Sequence, residues 1–129
     1  MKREILFRGK RIDNGEWVEG DLLNKCSGSP KISIHGEYNR GLFVVDSYEV
    51  IPETVGQFTG LTDKNGKKIF EGDIVDFEYD FAGLSRGFII WNEDDARFEI
   101  DDDGCSAQFY ETRQMEIIGN IHNKEADNG

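Results

Sequence analysis

Cysteine, histidine, proline and methionine are all scarce, with two of each in 129 residues. Two widely separated cysteines, Cys26 and Cys105, exclude a disulfide-stapled secreted scaffold, which would carry more. They also lack the Cys-x-x-Cys spacing of a structural zinc site. Both are expected to be reduced thiols in a cytoplasm. His35 and His122 have no recognisable catalytic partner beside them in sequence. Long apolar runs are missing too. None approaches the roughly 18 residues that cross a bilayer as a helix, so no membrane association is expected. The opening Met1-Lys2-Arg3-Glu4-Ile5 is basic, but no apolar stretch follows it, which argues against a secretory signal. A sustained i, i+3, i+4, i+7 apolar pattern is absent as well, and with it the signature of an amphipathic helix.

What the chain does have is aromatics and acid. Nine Phe, four Tyr and two Trp place it among folded proteins even though its mean hydropathy is −0.58. Charge is divided unevenly. Residues 1–70 hold 11 Lys+Arg against 10 Asp+Glu, whereas residues 71–129 hold 4 against 16, giving the net −11 of the whole. A phosphate backbone is repelled by the second half, so direct binding of nucleic acid is disfavoured. Solvation explains most of this charge, and an acidic face for a basic partner is the sharper alternative.

The apolar runs are brief and rich in Ile, Val, Phe, Tyr and Trp, which suit strands. Ile5 and Phe7, the Asp13-Asn14-Gly15 turn, and Trp17-Val18 with Leu22-Leu23 form an N-terminal hairpin region. Residues 25–30 form a loop by composition. Ile32 and Ile34, the run Leu42–Val45, and Tyr48–Ile51 ending at Pro52 supply further strands, with Gly36–Gly41 as a connection. Asn65-Gly66 is the strongest tight-turn dipeptide of the chain. Around it stand Gln57–Leu61 and Ile69-Phe70, and Glu71-Gly72-Asp73 makes a corner. Strands follow at Ile74–Tyr79, Gly87–Trp91, Arg97–Ile100, Phe109-Tyr110 and Met115–Ile121, with a loop at Phe81–Arg86 and turns at Asn92–Asp95 and Asp101–Gly104. The expected fold is all-β: one unit with an SH3-like barrel over residues 51–122, additional N-terminal strands over 1–50, and a frayed tail at 123–129.

The block Val50-Ile51-Pro52-Glu53-Thr54-Val55-Gly56-Gln57-Phe58-Thr59-Gly60-Leu61, followed by Asp63-Lys64-Asn65-Gly66-Lys67-Lys68-Ile69-Phe70-Glu71-Gly72-Asp73-Ile74-Val75, resembles the signature of the YopX family. The opening Arg3–Gly9, then Gly15-Glu16-Trp17-Val18-Glu19-Gly20, and the closing Ile118-Gly119-Asn120-Ile121-His122 are similar to that family in the same order. The resemblance implies a phage or prophage origin and a mainly-β fold with an SH3-like barrel. It implies no activity and carries over no catalytic, cofactor or metal residue. Turn chemistry of Gly, Pro and Asx residues accounts for most of the block, so its expected role is to define the fold.

Two patterns come near a binding motif and miss. Gly60–Lys68 has one residue too many between its glycines for a phosphate loop, and Lys68 stands where a hydroxyl should hold magnesium. Glu99, Asp101, Asp103 and Gly104 imitate the start of a calcium loop. Its bidentate acid then falls on Tyr110, with Glu111 one place late. Glu93-Asp94-Asp95 and Asp101-Asp102-Asp103 remain, as solvated turns or as a weak divalent-ion cluster at one side of the barrel. Trp17, Tyr38, Tyr48, Tyr79, Phe81, Trp91 and Tyr110 exceed what a small barrel core holds, so they pack between strand layers or cover a partner.

No catalytic constellation emerges, so the chain is not expected to be an enzyme, and no catalytic, cofactor-binding or metal residue is assigned. The expected function is a non-catalytic interaction module in the bacterial cytoplasm. Its partner is a host or phage protein, and it self-assembles through residues 1–50. A nucleic-acid-associated protein or acidic DNA mimic, and an unrecognised enzyme, are the alternatives. Charge gives the first test: fluorescence anisotropy with random duplex DNA at physiological salt should show no binding. Micromolar affinity with a steep salt dependence would reverse the expectation.

Overall fold

The computed structural model describes residues 4–23, 29–38, 41–79, 83–102, 104–109 and 112–123. Cys26, Phe81, Asp103, Tyr110 and the tail from residue 124 lie outside them. Along the chain run β1 (Phe7–Lys10), β2 (Trp17–Leu23), β3 (Lys31–Tyr38), β4 (Gly41–Glu49), a 3-10 turn (Pro52–Thr54), β5 (Gly56–Thr62), β6 (Lys68–Phe70), β7 (Asp73–Tyr79), β8 (Gly83–Asn92), β9 (Arg97–Asp102), β10 (Cys105–Ala107) and β11 (Thr112–Asn120). The all-β expectation holds: no α-helix occurs among the described residues, and none of the helices is long and apolar enough to cross a membrane.

Two compact units divide the chain, Met1–Phe58 and Thr59–Gly129, and β5 runs from one into the other. In the first unit the strands are ordered β4-β3-β2-β1-β5, all antiparallel. Alternation decides which face is core. Val18, Ile32 and Val50 are buried together, with Phe7, Leu22, Ile34, Tyr48 and Val55 packed against them. Gly20 is required by a close approach: a Cβ there would lie 2.2 Å from the Ser33 carbonyl oxygen. The Thr54 hydroxyl ties the 3-10 turn to β1, accepting from the Lys10 amide and donating to the Ile51 carbonyl.

The second unit holds the β5–β6 hairpin and a five-stranded antiparallel sheet ordered β10-β9-β8-β7-β11. The last strand returns to pair with the first of the meander. Ile69, Val75, Phe77, Ile89, Ile100 and Ala107 form its buried core. In β7 the alternation is direct, with Val75 and Phe77 buried between half-buried Ile74 and Asp76. A closed SH3-like barrel is not what the ladders form. Among the described residues no ladder joins β10 to β11, and the three-residue β10 spends its pairing on β9.

Other boundaries shift for local reasons. Leu42–Val45 and the Tyr48 segment belong to one strand, β4, because a bulge absorbs Val45 without ending the ladder. The connection expected over Gly36–Gly41 shrinks accordingly, since β3 reaches Tyr38. β8 begins at Gly83, inside the expected Phe81–Arg86 loop, with Arg86 paired to Asp76 across the ladder at 2.7 Å. The strand expected at Phe109-Tyr110 falls earlier, at β10.

The Asn65-Gly66 turn forms, with a different geometry from a two-residue loop. The Gly66 amide donates to the Asp63 carbonyl at 3.0 Å, which places Lys64 and Asn65 at the turn centre. Gly66 alone takes the left-handed conformation, at φ +83°. Open space surrounds its Cβ direction, so a side chain there is penalised by backbone strain alone. Gly66→Val is therefore expected to destabilise the protein by about 1–3 kcal/mol, measured by denaturant unfolding. An unchanged midpoint would mean that the strain is not there.

Candidate functional site

The acidic residues of the signature block are consumed by the framework. Asp63 is 6% exposed. Its Oδ1 accepts from the amides of Asn65 and Lys67, both at 2.9 Å, and its Oδ2 accepts from the amide of Ile117 at 3.0 Å. The Lys64 amide donates to the Met115 carbonyl at 2.8 Å beside it. One carboxylate thus shapes the β5–β6 turn and ties it to β11. Burial raises the pKa of Asp63, but the amides of Ile117, Lys67 and Asn65 and the charge of Lys67 together outweigh it. The net result lies below the ordinary carboxylate value. Asp73 plays the same part at the corner before β7. Its Oδ2 accepts from the Phe70 amide at 2.8 Å, and its Oδ1 accepts from Asn120 Nδ2 at 3.2 Å. Asn120 Oδ1 in turn accepts from the His122 amide at 2.8 Å.

Side-chain chemistry that the framework does not consume gathers in the first unit, on the turn after β1 and the end of β4. The Ile12 amide donates to the Glu49 carbonyl at 3.0 Å, and Arg11 bridges to Val50, which holds that turn against the strand end. The Arg11 guanidinium stacks over the Tyr48 ring at 4.1 Å and pairs with Asp13 through two nitrogens, at 3.0 and 2.7 Å. The hydrogen bond from Arg11 holds the Asp13 pKa low, against burial, and the same pair raises that of Arg11. Tyr48 Oη donates to Asp46 Oδ2 at 2.8 Å. That bond comes first among the causes that raise the phenol pKa, followed by burial. Ile12, Asp13, Ser47, Tyr48 and Glu49 line a cleft of about 280 Å³. Across the β1–β2 ladder, Arg8 and Lys10 lie over the Trp17 ring at 4.5 and 5.5 Å. Chemically, the cleft offers an aromatic edge, an apolar wall and two carboxylates. Aromatic and apolar groups can take a side-chain stem, and the carboxylates a cationic head.

The family model described as YopX protein matches residues 6–125. The chain belongs to the YopX family. No curated protein matches it. The family signature and the framework coincide, since Asp63, Asn65-Gly66 and Asp73 of the block are the turn-forming residues just described, and Gly72 at the same corner has a positive φ of 87°. The fold-defining role expected for them is the one the hydrogen bonds give them.

The remaining sequence candidates are dispersed over the YopX fold. The two acidic turns do not share one side: β9 starts after the first and ends at the second. Six residues of strand separate them by a distance on the order of 17 Å. Each is organised from within. Asn92 Oδ1 accepts from the amides of Asp94 and Asp95, and Asp101 Oδ1 accepts from the Gly104 amide. Glu99, the first acid of the calcium-loop near-miss, is buried in β9. It accepts from Asn92 Nδ2 at 3.0 Å and pairs with Arg97 at 3.4 Å. Among the described residues no three His, Cys, Asp or Glu side chains are grouped to hold a metal ion. The phosphate-loop segment is the β5–β6 hairpin itself. Cys105 is free and exposed on β10. His35 lies on β3 and His122 just after β11. Of the surplus aromatics, Trp91 is exposed and makes an edge-to-face contact with Phe98 at 4.9 Å, whereas Trp17 and Tyr48 are half-buried under cations. The side chains of Tyr38, Tyr79, Phe81 and Tyr110 lie outside the described set. Sequence reasoning missed the cleft, because Ile12 and Tyr48 are 36 positions apart and only the strand register joins them.

Asp63 carries a pH signature. Its folded pKa lies below the unfolded value of about 4, so its stabilisation is complete above that pH and is lost as pH falls through the folded value. Asp63→Asn should cost about 1.5–3 kcal/mol at pH 7, as befits lost hydrogen bonds to a charged acceptor. The deficit should shrink as pH is lowered below about 4. Thermal unfolding of both proteins from pH 7 down to the acid limit measures this, and a deficit constant over that range contradicts it.

Proposed function

We propose that this YopX-family protein is a non-catalytic protein-interaction module of phage or prophage origin, acting in the bacterial cytoplasm on a host or phage protein. The cleft of the first unit is its contact surface. The observation that carries this reading is the composition of that cleft: Ile12, 51% exposed, lines it together with Tyr48, Asp13 and Glu49. An exposed aliphatic side chain next to an aromatic ring supplies the apolar anchor that protein contacts concentrate their energy in. Asp13 is ionised at neutral pH, and the hydrogen bond from Arg11 holds its pKa below the ordinary carboxylate value. The matching partner surface carries a lysine or arginine whose stem lies on Ile12 and Tyr48.

A cleft of about 280 Å³ is close to the lower limit for small-molecule sites and suits a single side chain better than a drug-sized substrate. The experiment is affinity capture from bacterial host lysate with the intact chain and with Ile12→Lys. The exposed position of Ile12 leaves the fold intact, so circular dichroism of the variant should be unchanged. Partners captured by the intact chain should be lost or weakened by roughly tenfold or more, the effect of removing an anchor and adding a like charge. Equal capture by both proteins refutes the cleft as the contact.

A further inference from the structure

The cleft of the first unit lies where two stretches of backbone part. The chain runs on past β1 to reach the end of β4. There the Ile51 amide donates to the Lys10 carbonyl at 2.8 Å, and the Ile12 amide donates to the Glu49 carbonyl at 3.0 Å. The contact stops at Ile12, because the chain turns back toward β2 and the Gly15 amide donates to the Arg11 carbonyl at 2.9 Å. The return bond that would complete the pair, from the Glu49 amide, is not made among the described residues.

Alternation decides which edge groups are left. Successive residues of an antiparallel strand turn their amide and carbonyl to opposite sides. The Val50 amide donates at 3.0 Å to the carbonyl of Pro30, just before β3. Tyr48 therefore faces β3 as well, and Ser47 and Glu49 turn their backbone groups to the free side of β4. The Glu49 carbonyl is taken by Ile12, and the Ser47 amide donates to Asp46 Oδ1 at 2.9 Å. The Ser47 carbonyl and the Glu49 amide remain, with no partner among the described residues. An acceptor and a donor that flank Tyr48 match one residue of a parallel strand, whose N–H reaches the first and whose C=O reaches the second. An antiparallel strand uses both groups of the residue it pairs with, and one group of Ser47 and one of Glu49 are already spent.

We infer that the cleft takes an extended segment of the partner as a parallel strand on the β4 edge, with a lysine or arginine opposite Tyr48. The inference rests on the cleft being the partner contact, as proposed above, and adds how the partner's backbone is held. Residues opposite one another in a ladder share a face, so the cationic side chain lies on the Tyr48 face. That face carries Asp46, whose Oδ2 accepts from Tyr48 Oη, and, through the Arg11 guanidinium stacked over the ring, Asp13. Two carboxylates against one guanidinium leave a negative charge for the incoming head, and Ile12 and Tyr48 line the cleft along its stem. Glu49 and Lys31, opposite each other in the ladder, lie on the other face. Past Glu49 the edge is occupied by Ile12, so the cation is the last paired residue of the added strand. Residues before it run along the β4 edge, where no described strand pairs. In such strand addition the main-chain bonds supply affinity and the side-chain pocket supplies selectivity.

The probe is the acetylated tetrapeptide amide Thr-Val-Thr-Lys, titrated into the intact nitrogen-labelled chain and followed through backbone amide resonances. The Glu49 amide proton should move downfield on saturation, and its exchange with water should slow. Methylating the backbone nitrogen of the peptide's lysine removes the donor aimed at Ser47 and should weaken binding by about tenfold or more. Methylating the nitrogen of the threonine before it, which points away from β4, should leave binding unchanged. A peptide with glutamate in place of lysine should not bind. An unmoved Glu49 amide, two methylated peptides that behave alike, or equal binding of the glutamate peptide overturns the inference. The cleft itself is read separately by the Ile12→Lys capture, so loss of capture alongside any of those results keeps the cleft as the contact and rejects the added strand.

Discussion

The second unit depends on one buried carboxylate. Asp63 sits where β5 ends, yet it accepts hydrogen bonds from its own turn and from the Ile117 amide of β11, 54 residues later. Three amide donors around an acceptor that is 6% exposed make the charge affordable in a place where an unpaired carboxylate would be expelled. Because the Lys64 amide also reaches the Met115 carbonyl, the turn is held to the strand by backbone as well as side chain. Gly66 closes that turn in the left-handed conformation, and beside Met115 β11 bulges between Arg113 and Glu116, where Gln114 has a positive φ of 55°.

Asp73 repeats the device on a smaller scale, joining the β6–β7 corner to Asn120 at the end of β11. The two carboxylates hold the C-terminal part of β11, at Ile117 and at Asn120. In this family signature, rich in Asp, Asn and Gly, the carboxylates of Asp63 and Asp73 are taken up by turns and by β11. These groups already have partners, and removing any one of them leaves a buried donor or acceptor unpaired. Outside the signature stand the acidic and aromatic cleft of the first unit, the cations over Trp17, and exposed apolar residues such as Leu84, 80% exposed on β8.

Charge and edges divide the work between the units in a consistent way. The acidic unit organises its carboxylates internally, through Asn92, Arg97 and the Gly104 amide, instead of pooling them into one face. The nearly neutral unit carries a long edge strand and a hairpin arm that outruns its neighbours.

The amino-acid order by itself determined the all-β class, the turns at Asn14-Gly15, Asn65-Gly66 and Gly72, and the membership in the YopX family. Those features are local: alternation of apolar residues has period two, and glycine marks the positive φ of these three turns, at Gly15, Gly66 and Gly72. Strand ends were less legible, because a bulge at Val45 and the early start of β8 have no signal in composition. Tertiary structure alone decided that the acidic turns stand at opposite ends of β9, that among the described residues no ladder joins β10 to β11, and that Ile12 and Tyr48 share a cleft. Each of these depends on which strand lies beside which and in what register. Register is set by contacts between residues dozens of positions apart, and no local pattern encodes it.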